Sequence, residues 1–296
     1  MSVLAITGGT GFVGGHLIDR ALADGHRIRA LARRTQPPRA GVTWIEGDLA
    51  HPGALADGAD AVIHVAGVVN APDRAGFVAG NVDGTRTMLA AAAAARVARF
   101  VHVSSLSARE PHLSDYGWSK AEAERLVTAS ALDWTIVRPT AIYGPGDMEM
   151  RDLFRAARFG LALLPPVGRM SAIEVGDLAR LLLVLATGAG GHMLYEVDDG
   201  RVWTHAGFAR AIGVAVGRRV LSLHLPKAVM LAGARLDRLL RGAGAKLTAD
   251  RVGYLCHPDW TADPARRPPA SMWMPLVDTP AGLAATARWY RANRLL

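Results

Sequence analysis

The feature that most constrains this chain stands at its start. An apolar run at residues 2–6 breaks into Thr7-Gly8-Gly9-Thr10-Gly11-Phe12-Val13-Gly14 and continues as a helical pattern over 12–23. Gly9, Gly11 and Gly14 spell G-x-G-x-x-G between a strand and a helix, the context in which that spacing has mechanical meaning. Glycines let the turn tighten and let backbone N–H groups approach a pyrophosphate, whose charge the helix N-terminus stabilises.

The rest of the first half continues the rhythm. Strand-like runs at 27–31, 43–46, 61–65, 100–104 and 134–138 alternate with helical patterns at 77–95 and 116–131. That alternation implies right-handed βαβ units and a parallel sheet with helices on both faces. After Arg138-Pro139 a glycine-proline turn, Tyr143-Gly144-Pro145-Gly146, leads into helical patterns at 150–159, 175–186, 205–216 and 226–240, with short strands at 193–197 and 220–223. The predicted plan is α/β: a Rossmann-type doubly wound parallel sheet over residues 1–146, then a smaller, mostly helical substrate-binding part over 147–296 whose elements can return to the first sheet.

Composition removes several classes. Half the residues are apolar and a fifth charged, which excludes a disordered or fibrous chain. The longest apolar stretches, 88–95 and 181–186, fall well short of the roughly 20 residues a spanning helix needs, so no membrane span is expected. No basic leader or cleavage site is visible, and Cys256 is the single cysteine, so no internal disulfide forms and a cytoplasmic location is expected. The net charge of +8 is spread along an arginine-rich chain with lysine only at 120, 227 and 246. With no basic tail or aromatic-interleaved patch, no nucleic-acid partner is expected.

Two further constellations carry chemistry. Where an NAD site would place an acidic residue after the second strand, Arg33 and Arg34 stand instead. Guanidinium groups there can hold a ribose 2′-phosphate, favouring NADP(H) over NAD(H), unless both are merely solvated loop arginines. Tyr116 and Lys120, four residues apart on a helix, face the same way. A neighbouring cation favours phenolate and suits the tyrosine to exchange protons with an alcohol or carbonyl. Considered alone, the pair reads better as an exposed couple on an amphipathic helix.

It does not stand alone. The glycine loop, the strand end Val103-Ser104-Ser105 and Tyr116-x-x-x-Lys120 together resemble the short-chain dehydrogenase/reductase superfamily. Gly47-Asp48-Leu49, His64-Val65-Ala66-Gly67, Asn81-Val82-Asp83-Gly84-Thr85 and Arg138-Pro139-x-x-x-Tyr143-Gly144-Pro145-Gly146 point to its extended, epimerase/dehydratase-like branch. The marks span residues 7–146. The resemblance implies that Tyr116 is the general acid/base, that Lys120 supports it and binds the nicotinamide ribose, and that Ser105, rather than its neighbour Ser104, orients the substrate carbonyl. Asn81 would support the lysine through water, or serve as a helix N-cap. The cofactor would be lined by Gly8, Thr10, Gly11, Phe12, Val13, Gly14, Arg33, Arg34, Asp48, Leu49, Val65, Ala66, Gly67, Val103, Pro139 and Ile142, beside Tyr116 and Lys120. Asp48 would meet the adenine amine. Family members also suggest a homodimer.

The interval from Ser105 to Tyr116 is short for a sugar-nucleotide epimerase. That, with the paired arginines, gives a style closest to the dihydroflavonol-reductase and 3β-hydroxysteroid-dehydrogenase group. The expected activity is hydride transfer between a nicotinamide and a carbonyl or alcohol of a small, hydrophobic substrate. An apolar run containing Leu161, Leu163, Leu164, Val167 and Met170 reads as a pocket wall or as a core-facing linker. Two alternatives are a sugar-nucleotide epimerase or dehydratase, and an NADP(H)-binding redox sensor or assembly factor. No metal is expected: H-E-x-x-H and Cys/His ligand spacings are absent, and His64 and His102 sit in or beside apolar strands. Cys256-His257 reads as structural, and G-x-S-x-G is absent.

Overall fold

In the computed structural model, which describes residues 1–188 and 190–296, the first apolar run is β1 (Val3–Thr7), buried from Leu4 onward. It leads into α1 (Phe12–Ala23), β2 (Arg27–Ala32), β3 (Val42–Glu46), β4 (Ala61–His64) and α2 (Arg74–Phe77). A π-helical stretch (Val78–Asp83) joins α2 to α3 (Gly84–Ala94), followed by β5 (Arg99–Val103), two short 3-10 turns, α4 (Asp115–Thr128) and β6 (Trp134–Pro139). Beyond these come β7 (Ala141–Tyr143), α5 (Arg151–Arg158), β8 (Leu161–Leu164), β9 (Arg169–Met170), β10 (Ala172–Glu174), α6 (Val175–Thr187) and β11 (Met193–Val197). The chain ends with β12 (Trp203–Thr204), α7 (His205–Val216), β13 (Leu221–His224), α8 (Lys227–Arg241), α9 (Ala249–Leu255), β14 (Asp259–Trp260) and α10 (Thr279–Ala292).

Seven strands form the main sheet in the order β11-β6-β5-β4-β1-β2-β3. The pairings from β3 across to β6 are parallel. β4 and β5 are buried at every position, as interior strands covered on both faces must be, whereas the edge strand β3 is half-buried or exposed throughout. The chain winds from β1 outward through β2 and β3, then returns to place β4 on the other side of β1. The strand order therefore reverses between β1 and β4, and open α/β sheets bind ligands beyond the carboxyl ends at such a point. Thr7 and His64, paired in register, stand at those two ends.

The described residues divide into two compact units: residues 1–139, 178–196 and 266–273, and residues 140–177, 197–265 and 274–296. The first is built on a core that includes Leu55, Met88, Phe100, Val127 and Ile136. The second has its own core, with Tyr143, Phe154, Phe208, Ile212, Leu283 and Tyr290. It carries more strand than its sequence suggests. β7 pairs with β10, β8 with β13, and β9 lies between β12 and β14. Strands of two to four residues are too short to show a periodicity, which is why most were not predicted. The apolar run at 161–170 contains β8, in which Leu161 and Leu163 are exposed while Ala162 and Leu164 are buried. α9 and α10 were not anticipated either, although α10 begins with a readable signal: Asp278 accepts from the Ala281 N–H and Pro280 occupies the first turn.

The segment expected as one helix over 77–95 starts earlier, at Arg74, and is interrupted by the π-helical stretch. Phe100, fully buried in β5, offers a direct test of the first unit's core. Phe100→Ala should lower unfolding stability by about 3–5 kcal/mol in a urea titration, through lost apolar transfer and the cavity left behind. A loss below about 1 kcal/mol would place the core elsewhere.

Candidate active site

The turn after β1 works because specific positions lack a side chain. Gly8 adopts φ +72°, and a Cβ there would lie 2.9 Å from the Ala66 backbone nitrogen at the end of β4. A Cβ on Gly14 would overlap the Gly8 carbonyl, so the third motif glycine is what lets α1 close on the turn. Gly11 caps α1 with extended backbone, no side chain caps the helix, and its first turn holds no acidic residue. That cradle fits a nucleotide diphosphate: close backbone approach, a helix N-terminus and no competing carboxylate. Thr10 and Gly11 are exposed, and Phe12 and Val13 half-buried. Arg33 and Arg34 are both exposed immediately after β2.

Beyond β3, the exposed Asp48 accepts from the Ala50 and His51 amides at 2.9 and 2.8 Å, and these hold its carboxyl below the usual carboxylate range. Leu49 lies against Gly84, where a Cβ would come within 2.9 Å of it. At the end of β4, the His64 ring lies between the Thr7 and Thr85 hydroxyls, at 2.8 and 3.1 Å. Burial, with a smaller contribution from the Lys120 charge, pushes this imidazole down to about 3, so it is neutral. Thr7 also accepts from the Ala66 N–H at 3.0 Å, tying the β4–α2 loop to β1.

Asn81 sits in the π-helical stretch and does not cap a helix. Its Oδ1 accepts from the Val68 N–H at 2.7 Å, and its Nδ2 donates to the Val68 carbonyl and to Ser119 Oγ, each at 2.9 Å. Ser119 in turn donates to the Tyr116 carbonyl at 2.8 Å. Asn81 thus links the loop after β4 to the first turn of α4. A Cβ on Gly67 would lie 3.0 Å from Asn81 Oδ1 and 3.4 Å from Lys120 Nζ, which places these three residues together.

α4 opens at Asp115, capped by Ser114 accepting from the Gly117 N–H, so Tyr116 lies in its first turn and Lys120 one turn on. The Tyr116 ring packs near Phe77, with centroids 6.1 Å apart. Lys120 is buried and donates to the Val103 carbonyl at 2.8 Å. Burial lowers its ammonium pKa to about 8, opposed by the Glu124 charge one turn further along the helix. The two serines after β5 differ sharply. Ser104 is buried and donates to Glu124, which also takes a two-pronged ion pair from Arg138. Ser105 is half-buried, and its hydroxyl accepts only weakly, from the Ser107 N–H at 3.2 Å.

The geometry therefore gathers Gly67, Asn81, Val103, Tyr116 and Lys120 at one end of the sheet, with Ser105 directly beyond β5. Val65 and Ala66 continue β4, and Pro139 ends β6. Ile142 lies in β7 of the second unit. The sequence reading gave no site role to Thr7, Thr85, Ser119, Glu124 and Arg138, although Thr7, Thr85 and Arg138 stand within the motifs it quoted. Glu124 also left a legible signal, being four residues from Lys120 on the same helix face.

Three lysines in the whole chain make Lys120 directly observable by lysine side-chain NMR, with Lys120→Arg as the assignment control. Its ammonium should titrate near pH 8. Glu124→Gln removes the charge that raises the pKa, so the midpoint should move to lower pH. A midpoint above about 10 would contradict the buried geometry.

Residues 4–187 match the NAD dependent epimerase/dehydratase family. The chain is 38% identical to a ceramide reductase of Caulobacter vibrioides over 98% of its own length and 95% of that protein's. It is 31% identical to a 2-alkyl-3-oxoalkanoate reductase of Stenotrophomonas maltophilia, over 89% of this chain and 92% of the other. In fold it resembles MoeE5, solved with UDP-glucuronic acid and NAD, with a TM-score of 0.78 and 22% identity over 99% of this chain and 100% of that one. The chain thus belongs to the NAD dependent epimerase/dehydratase family and is an oxidoreductase of the extended short-chain dehydrogenase/reductase type.

Proposed function

We propose that this enzyme is an NADP(H)-preferring reductase of a ketone carried on a long alkyl chain. The observation that carries the reading is Lys120, buried against the Val103 carbonyl one helical turn from Tyr116. When bound, the nicotinamide supplies or accepts the hydride. Ser105 donates to the substrate carbonyl oxygen, and Tyr116 hydrogen-bonds the same oxygen and gives it the proton during reduction. Lys120 keeps positive charge beside the phenol, lowering the cost of the phenolate left behind. Asn81 positions this group by tying the loop after β4 to α4 through Ser119. Residues 1–146 take the dinucleotide, and residues 147–296 take the substrate.

Support for the substrate class comes from the relatives' names, which describe reductases of a ceramide and of an alkyl-substituted oxoalkanoate. Likeness to sugar-nucleotide enzymes stands at 22% identity and speaks to fold alone. The retained tyrosine and lysine favour catalysis over a sensor role.

Tyr116→Phe keeps the ring and removes the proton. Turnover of a long-chain ketone should fall about 100- to 10,000-fold with NADPH affinity nearly intact, and a fall below about threefold would refute the role. For the cofactor, replacing Arg33 and Arg34 by alanine should weaken NADPH binding about ten- to a hundredfold and barely change NADH binding, as read by fluorescence titration. The unmodified protein binding both cofactors equally would make these arginines plain surface charges.

A further inference from the structure

The second unit leaves an apolar surface uncovered. On α8, Met230 and Ala234 pack in a cluster with Val252 and Leu255. Elsewhere on the helix Leu236, Leu239 and Leu240 are 56%, 82% and 74% exposed. The same helix carries exposed Lys227, Arg235, Arg238 and Arg241. Its single acidic residue, Asp237, pairs with Arg241 at 3.2 Å and accepts from the Lys246 and Leu247 amides. Two residues before α8, β13 ends a pairing with β8 in which Leu221 faces Leu161 and Leu223 faces Leu163. All four leucines are exposed, while Ala162 and Leu164 turn inward onto Ala209. Arg218 and Arg219, just ahead of β13, are exposed as well.

We propose that α8 and this leucine ladder dock the enzyme on the surface of an anionic lipid bilayer. The inference deepens the function proposed above and rests on it: a reductase whose substrate has long alkyl chains meets that substrate in a membrane. Singly exposed leucines are ordinary, but cross-strand pairs joined by a two-residue link to a leucine-bearing helix are not. Apolar side chains interleaved with Lys and Arg are what an interfacial helix requires: leucines enter the boundary of the acyl region and cations meet anionic headgroups. Charge decides against a second copy as the occupant. A two-fold contact would bring Arg235 and Arg238 against their equivalents on a chain of net charge +8, whereas anionic lipid complements them. Attachment would be peripheral, since no helix among the described residues is long and apolar enough to cross a membrane.

The test is co-sedimentation of the full chain with phosphatidylcholine vesicles, with and without phosphatidylglycerol. Binding should require the anionic lipid and fall with salt. Arg235→Gln with Arg238→Gln should weaken it roughly twenty-fivefold, at about fivefold for each cation near the surface. Leu236→Ser, Leu239→Ser and Leu240→Ser together should abolish it while circular dichroism and reduction of a water-soluble short-chain ketone stay unchanged. Absence of binding to anionic vesicles, or equal binding by the triple variant, would overturn the proposal. So would a dimer in ultracentrifugation that the triple variant converts to monomer, because the surface would then belong to a second copy. Vesicle binding as expected without turnover of any ketone would leave the docking surface standing and remove the reductase reading.

Discussion

An ammonium group taken out of water is a costly thing to bury, and Lys120 is held at a place where that cost shapes its surroundings. One hydrogen bond, to the Val103 carbonyl, and one nearby carboxylate, Glu124, offset part of it. The remainder appears as an ammonium pKa lowered to about 8, which keeps the group near its titration point in the physiological range. Burial, with a smaller contribution from the same cation, keeps two neighbouring histidines uncharged. His64 and His102 stack at 5.4 Å, and both are pushed well below the ordinary histidine range, chiefly by burial and then by Lys120. With both rings neutral, Lys120 is the positive group one helical turn from Tyr116.

Glu124 joins this electrostatic arrangement to the frame. Its carboxylate receives Ser104 from the end of β5 and Arg138 from β6, while Arg138 reaches on to Glu196 of β11 at 3.3 Å. The helix bearing Tyr116 and Lys120 is thereby pinned to three neighbouring strands by a largely buried ion network. Breaking such a network by removing one partner is far more damaging than its net contribution suggests. It also occupies the hydroxyl of Ser104, so that of the two adjacent serines Ser105 is the one outside the network.

What could be read from sequence followed the range of the physics involved. The glycine turn, the six parallel strands and the Tyr116–Lys120 spacing are local: backbone sterics, burial on both faces and one helical turn write them into neighbouring residues. The π-helical stretch is different, because Asn81 answers to Val68 and Ser119, which stand 13 and 38 positions away. A helix pattern over 77–95 correctly gave the element type and hid its break. Thr7 and Thr85 meet only through His64, so neither reads as part of the site until the strands are side by side. In the second unit, the alternation of Leu161 and Leu163 with Ala162 and Leu164 was present in the chain, but an all-apolar run reads the same whether its faces are buried or exposed.

The central claim is net transfer of hydride to a lipid ketone, a process an epimerase sharing this fold would not perform. NADPH deuterated at the transferable C4 position, incubated with the enzyme and a long-chain ketone, tests it most directly by mass spectrometry. The expected result is an alcohol carrying one deuterium at the former carbonyl carbon, with one NADP⁺ formed per alcohol. An isomerised or dehydrated product without consumption of NADPH, or an alcohol free of the label, would contradict it.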